Sequence, residues 1–457
     1  DFAPRVGLAW SPGKDGKTSV RTGFGLGYDQ VYQNLGSNSL PPQFFTVINA
    51  HLTNPNGTNF LANGGTLNTA VPITDPVVAR ARTASYVPDQ LRPYSIQWNF
   101  GIQRVLWNDY TAEVRYLGSR GIHLPFQTQI NRRAGLPPGQ SLPVYLQRPT
   151  TAELDRLTLT RESLALGVHP LNAAGFNSTI TAFEPRGNST YHGMATQISK
   201  RYTRNLTMTG AYTWSKNIDD STVALNSTVL TPRRAYDFEN LRQERSNSAL
   251  DRRHRLSATW VYDTPWLRNH HARAMRNLVG NWAFSGTYIA ETGAWATPRS
   301  GVDVNFNGDN AADRTYINTA GDANTGSATT ALLNSAGRTV AYLATNPSAR
   351  YIAVGPGGTV NGGRNTLRLP GINNFDLSFS KRINFRESKL FEFRAELYNA
   401  INHPQFTPGY PSVGNARARV TAAAQNLLFP QNPLFNRPDL AFQSNARTIQ
   451  LVARIQF

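Results

Sequence analysis

The segment TIQLVARIQF, residues 448–457, separates into two sets when read in twos. Ile449, Leu451, Ala453, Ile455 and Phe457 form one set, and Gln450, Val452, Arg454 and Gln456 the other. A strand sends successive side chains to opposite faces, so this one carries an apolar face and a mostly polar face. A soluble sandwich uses such a strand by packing its apolar face on a second sheet. A barrel standing in lipid uses it by turning the apolar face outward and lining a lumen with the other. The remaining sequence has to separate the two.

The same period recurs along the chain. In YSIQWNFGIQRVL (94–106), Ile96, Trp98, Phe100 and Ile102 oppose Ser95, Gln97, Asn99 and Gln103. In NLTMTGAYTWSK (205–216), Leu206, Met208, Tyr212 and Trp214 oppose Thr207, Thr209, Thr213 and Ser215. NFDLSFSKRI (374–383) and FEFRAELY (391–398) alternate in the same way. Shorter runs are RVGLAW (5–10), SVRTGFGLGY (19–28), TAEVRYLG (111–118), HGMATQIS (192–199), RLSATWVY (255–262) and WAFSGTYIA (282–290). With the closing segment these make about eleven candidate strands, most near the ~9–11 residues that a tilted strand needs to span a bilayer.

The connections have a rhythm of their own. GKDGK (13–17), WNDY (107–110), YTRN (202–205) and FRESK (385–389) are tight polar turns, and 265–281 is an intermediate piece in a short-turn slot. They alternate with long stretches at 29–93, 119–189, 217–253, 296–373 and 403–446. Compact soluble domains seldom contain structureless loops beyond ~12–15 residues. Outer-membrane barrels pair short periplasmic turns with long extracellular loops. The order therefore predicts an all-β, antiparallel, up-and-down transmembrane β-barrel whose tight turns all fall on the periplasmic side. Trp10, Trp107, Trp266 and Trp282 sit beside those turns, and Tyr28, Trp214 and Trp295 lie near the opposite strand ends, as interfacial aromatic girdles would.

Composition agrees. Of 457 residues, 40% are hydrophobic and only 16% charged, below the roughly 25% of ordinary soluble domains. No apolar run approaches the ~18 residues of a membrane helix, which leaves barrels untouched. The absence of cysteine excludes disulfide scaffolds and thiolate metal sites. The net charge of +18 is spread along the chain, which reads as a solvated surface or a wet lumen and not as a nucleic-acid footprint. The chain begins at Asp1 without a methionine or a leader, so a processed product or a fragment is expected.

Several segments resemble the barrel of TonB-dependent outer-membrane receptors, most closely the Oar-like group, whose members often carry an N-terminal carboxypeptidase-regulatory-like domain. They are DFAPRVGLAWSPGKDGKTSVRTGFGLGYD, QLRPYSIQWNFGIQRVL, YHGMATQISKRYTRNLTMTGAYTWSKNIDDS, DRRHRLSATWVYDTPW and NNFDLSFSKRINFRESKLFEFRAELYNAINHPQF. The resemblance implies a barrel of roughly 22 strands around an N-terminal plug, energised through TonB. Residues 1–457 would then be the C-terminal part of that barrel, with plug and N-terminal domains outside it, unable to transport alone. It also implies that Ile449, Leu451, Ala453, Ile455 and Phe457 form the C-terminal signal read by the barrel-assembly machinery.

Hidden chemistry is sparse. DVNFNGDNAAD (303–313) spaces oxygen ligands at Asp303, Asn305, Asn307 and Asp309, turns at Gly308 and adds Asp313. It resembles a calcium loop of the EF-hand or dockerin kind, although position twelve is Arg314 and no flanking helix is evident. A bound Ca2+ there would order an extracellular loop; a plain Asn/Asp/Gly turn is the other reading. GKT at 16–18 lacks the glycine of a phosphate loop at Ser11 and is read as a hairpin turn. Gly23, Gly25 and Gly27 share one face of a strand and there relieve crowding. The eight histidines are dispersed, and no GxSxG or HExxH occurs. Asp219 and Asp220 are expected in a structural or loop-mouth role, and Arg252, Arg253, His254 and Arg255 either meet lipopolysaccharide phosphates or are solvated.

No enzyme is expected, and no cofactor is required. The leading expectation is a TonB-dependent transport protein of the bacterial outer membrane. Its partners would be lipid and lipopolysaccharide, the TonB complex through the missing N-terminal region, the barrel-assembly machinery, and an unnamed ligand of the carbohydrate or peptide class. An outer-membrane adhesion or surface-assembly protein anchored by the same barrel is the alternative, and a soluble secreted all-β binding protein a third.

Overall fold

A computed structural model of the chain describes residues 2–30, 73–107, 109–164, 167–221, 230, 232, 234–267, 270–386, 389–406, 426–442 and 444–456. Among them, eleven long strands run in series: β1 (Arg5–Trp10), β2 (Thr18–Tyr28), β3 (Tyr94–Leu106), β4 (Tyr110–Ile130), β5 (Ile180–Thr203) and β6 (Leu206–Asp219). They continue through β7 (His254–Asp263), β8 (Trp282–Glu291), β9 (Ile372–Arg386), β10 (Lys389–Tyr398) and β11 (Thr448–Gln456). Each pairs antiparallel with the next, so the eleven form a meander, and two short strands, Ser85–Tyr86 and Ser246–Asn247, pair off its path. The path does not close: β1 and β11 are its two ends, each with one strand neighbour.

Register explains why the alternation holds over so many strands. Leu8, Thr22, Phe100, Tyr116, Met194, Trp214 and His254 form one unbroken row across seven strands. A second row runs Met208, Trp260, Gly286, Leu377, Leu397, Ile449. Directly opposite residues in an antiparallel pair share a face, so these rows belong to one apolar surface. A slip of one residue would turn a whole strand's apolar set over. Polar rows fill the other face: Ser199, Thr209, Thr259, Thr287 and Asp376 are one of them. Ion pairs stitch that face, Arg115 to Glu113 at 3.2 Å and Arg394 to Glu396 at 3.0 Å.

The apolar surface is covered by nothing in the described structure. Leu8 is 64% exposed, Phe100 48% and Trp214 49%. The four buried apolar clusters instead draw on loop-derived segments, with residues such as Leu142, Leu154, Val340, Tyr351 and Leu427. No second sheet packs on the eleven strands among the described residues, which removes the sandwich alternative. Two glycines on the apolar surface make room for indoles. A Cβ on Gly118 would lie 2.2 Å from Trp98, and one on Gly286 2.3 Å from Trp260.

The tight turns at 13–17 and 202–205 lie where expected; Asn108 of the turn at 107–110 and residues 387–388 of the turn at 385–389 lie outside the described residues. Arg204 and Asn205 both take positive φ (49° and 62°), the conformation of a two-residue hairpin turn matched to strand twist. The intermediate piece 265–281 contains a short helix, Arg273–Leu278, within its short-turn slot. The long connections differ more from expectation. β4 and β5 run past the sheet's apolar band, with register shifts at Gly121–Phe126, and their extensions are buried in the loops. The stretch 296–373 is not structureless: it holds small sheets formed by Tyr316–Ile317, Asp322–Ser327 and Ala349–Ile352, and by Thr329–Leu333 with Thr339–Ala344. Trp295 is not on the apolar surface; its ring N–H donates to Asp251 at 3.0 Å and Arg368 lies over its ring.

Candidate functional site

The long connections all leave the strand ends opposite the tight turns, and those that are described fold onto one another. The connection between β6 and β7 is held to the connection between β8 and β9 by buried charge. Arg364, with its side chain 1% exposed, donates from Nε to the Glu244 carbonyl at 2.8 Å and from Nη2 to both the carbonyl and the carboxylate of Asp219. Arg314 donates to the Glu244 carboxylate, whose other oxygen accepts the Tyr236 N–H at 2.9 Å. The Ser248 hydroxyl closes the set on Asp219. Two guanidiniums face two carboxylates, so the cluster is neutral overall, and removal of any single member would leave a charge out of water.

A recess of about 620 Å³ opens beside this lock. Arg132 and Arg133 after β4, Tyr236, Phe238 and Glu239 before β7, and Asn305 and Asn307 line it. Arg132 pairs with Glu239 and its guanidinium sits 5.1 Å above the Phe238 ring. Asn305 Nδ2 donates to the Tyr236 carbonyl at 3.0 Å, and the Leu136 N–H to the Asn305 carbonyl at 2.8 Å, so three connections meet at the recess wall. Arginine, amide and aromatic groups together offer hydrogen bonds and stacking to a polar ligand.

The 303–313 segment forms part of that wall. Gly308 N–H donates to Asp303 Oδ2 at 2.9 Å, Asn307 N–H to Asn305 Oδ1 at 3.1 Å, and Asp309 N–H to Asn307 Oδ1 at 2.8 Å. Phe306 and Gly308 have φ of 59° and 88°, which makes the turn sharp. Asp309 is gripped through both carboxylate oxygens by Arg234, a residue 75 positions upstream. Asp313 is buried, and burial pushes its carboxyl well above the usual range; the charges of Asp303 and Asp309 add to this, while Val304 N–H and Arg314 oppose it. Asp303 is raised by burial as well, against hydrogen bonds from the Gly308, Phe306 and Asn307 amides.

The other singled-out residues are structural. Asp220 accepts Asn188 N–H at 3.1 Å, and Asp219 belongs to the buried lock, so the two acids tie strand ends together. Arg252 is spent on Glu291 at 2.7 Å and on two backbone carbonyls, while the Arg255 side chain is 62% exposed. The Gly23 backbone faces Asn99 so closely that a Cβ would lie 2.9 Å from its Nδ2. Ile449, Leu451 and Ile455 project from the apolar surface of β11, with Ala453 in register with Phe393; Phe457 lies outside the described residues. The lock itself was missed from sequence, because Asp219, Glu244, Arg314 and Arg364 are separated by up to 145 positions and no local spacing joins them.

The family model described as the outer membrane beta-barrel domain matches residues 1–443. No curated protein matches the chain. Among solved structures, the chain is similar to the outer membrane transporter YddB from Escherichia coli, at 9% identity and a TM-score of 0.39, over 100% of this chain and 40% of that one. It is also similar to BauA, the ferric preacinetobactin receptor from Acinetobacter baumannii, at 10% identity and 0.39, over 100% and 36%. The ferripyoverdine receptor of Pseudomonas aeruginosa matches at 9% identity and 0.37, over 88% and 29%. The chain thus spans two fifths or less of the length of each.

Proposed function

Because the chain belongs to the outer-membrane β-barrel domain family and so resides in the bacterial outer membrane, we propose that it is the C-terminal part of a TonB-dependent transporter of the Oar-like group. The observation that carries this reading is the open meander, apolar on one face and ion-paired on the other, with a folded loop assembly at one end. Two free strand edges in hydrocarbon would leave a row of backbone donors and acceptors unsatisfied. In this reading further strands, from the same chain or from partner chains, complete the ring, and a ring of roughly 22 strands is wide enough to hold a plug.

In this reading the recess beside Arg132, Tyr236 and Phe238 takes part in first capture of a carbohydrate or peptide ligand. The polar rows of Ser, Thr, Asp and Arg face the plug and the permeation path. TonB acts through the N-terminal region, the barrel-assembly machinery reads the alternating end of β11, and Arg255, 62% exposed and 3.5 Å from Glu291, is offered to lipopolysaccharide phosphate. No catalytic step is assigned to the chain. The deciding experiment is to read the gene upstream of the Asp1 codon and test uptake with and without TonB. Additional alternating strands, a plug and TonB-dependent uptake are expected. A gene without strands or plug, or uptake indifferent to TonB, would overturn the proposal.

A further inference from the structure

The 303–313 segment contains buried negative charge that the protein does not answer. Asp313 is 1% exposed, and neither of its carboxylate oxygens is met by a donor at hydrogen-bond geometry, the Val304 N–H and the Arg314 charge being its nearest compensation. Oδ1 of Asp303 is equally shut off from solvent and equally without a donor. Polar groups out of water are ordinarily paired, and an isolated buried carboxylate is among the least favourable exceptions. The nearby guanidiniums make their hydrogen bonds elsewhere, although Arg314 Nη1 and Arg299 Nε are themselves buried without an acceptor. Arg234 holds Asp309, Arg314 donates to Glu244, and Arg299 lies over the Phe429 ring with a bond to the Ala311 carbonyl.

We propose that this segment is a calcium site, in which the Asp313 carboxylate and Oδ1 of Asp303 take one ion, with the amide oxygens of Asn305 and Asn307 and loop carbonyls completing the shell. Asp309, an expected ligand, is excluded through its carboxylate because Arg234 occupies both oxygens. The donor set is all oxygen and mixes charged with neutral groups. Calcium accepts six to eight such ligands in irregular geometry, whereas magnesium demands a tight octahedron and zinc favours nitrogen and sulfur. Among the described residues no three His, Cys, Asp or Glu side chains gather into a cage, so neutral oxygens are required.

The consequence is mechanical. Asn305 and Asn307 both donate to the Tyr236 carbonyl, so an ion that fixes the loop also fixes the wall of the 620 Å³ recess. This inference does not depend on the transport reading.

The test uses the full chain folded in detergent, stripped with a chelator and titrated with calcium chloride in a calorimeter. One saturable ion per chain is expected, at or below ~1 mM as in extracellular calcium modules. Magnesium in tenfold excess should not displace it. Asp313→Asn and Asp303→Asn should each weaken binding by about tenfold or more, while Asp439→Asn, an exposed acid paired with Arg437, should not. Hydrogen exchange provides a second readout. Calcium should slow exchange over 303–313 and 234–239 in the parent and not in Asp313→Asn. In calcium-free protein Asp313→Asn should exchange more slowly than the parent, since the buried charge is gone; a misfolded variant would do the opposite, and the decision then passes to Asp303→Asn. Absence of saturable uptake at 10 mM calcium, displacement by magnesium, or unchanged affinity in Asp303→Asn would overturn the proposal.

Discussion

Replacing Arg364 by methionine removes the guanidinium that joins two connections while keeping most of the side-chain volume. Arg364 meets the Asp219 carboxylate and carbonyl, the Glu244 carbonyl at 2.8 Å and the Glu244 carboxylate at 3.9 Å. Side-chain exposure is 1% for Arg364, 7% for Asp219 and 2% for Glu244, so solvent screens little of the interaction. Without the arginine, Asp219 keeps the Ser248 hydroxyl and Glu244 keeps Arg314 and the Tyr236 amide. Breaking a buried pair from one side costs about 3–5 kcal/mol. At ~1.4 kcal/mol per factor of ten, that raises the opening equilibrium by roughly two to three and a half powers of ten. Hydrogen exchange of the protein folded in detergent should show this rise in peptides covering 241–248 and 364–369, with exchange in β3 unchanged. Arg364→Lys should fall between, because an ammonium cannot reproduce the fork. An exchange increase below about threefold would refute the claim that this cluster holds the loops together.

Other outcomes follow from the same structure. Phe100→Arg places a charge at the middle of β3 on the apolar surface and should lower barrel stability by ~2–4 kcal/mol in a lipid-based unfolding titration, whereas Gln97→Arg, on the polar face, should change it little. Gly118→Val sets a side chain where the Trp98 indole lies and should cost about 1–3 kcal/mol by the same titration; Gly7→Ala, whose Cβ would have its nearest contact at 3.7 Å, should be tolerated. Glu153 is held below its ordinary value of 4.5 by the Thr150 amide and hydroxyl, so the capping box of the helix Thr151–Asp155 contributes stability above the ordinary glutamate range and loses it as pH falls through the depressed value. Exchange of 151–157 should therefore accelerate on acidification, and Thr150→Ala should weaken that pH dependence without abolishing it, because the backbone amide at 150 still donates to the carboxylate.

The strands were legible because each is solvated by different media on its two faces, which writes a period of two into the sequence. All eleven alternating segments are strands, in the expected order. The period fails where both faces are covered by protein: Phe126, Gln127, Thr128 and Gln129 are successive buried residues, so the extension of β4 carries no alternation to read. The loop assembly was illegible for a different reason. Its strands are two to six residues long, and its stability rests on pairs such as Arg364 with Asp219 and Arg234 with Asp309, which only the folded chain brings together. The calcium-like spacing was visible, but which acid remained free was not. In sequence Asp309 and Asp313 are equivalent oxygen donors, and only the fold brings Arg234 onto Asp309. Trp295 misled similarly, since a tryptophan near a strand end serves a loop core as readily as an interface.

The chain contains no cysteine, so single cysteines can be introduced along β3 from Gln97 to Gln103 and spin-labelled in the protein assembled in outer membranes. Collision rates with oxygen, which partitions into hydrocarbon, and with a water-soluble nickel chelate would be measured at each position. Labels at 98, 100 and 102 should favour oxygen, and labels at 97, 99, 101 and 103 should favour the chelate. Equal rates at all positions, or the inverse alternation, would contradict the assignment of the apolar surface to lipid.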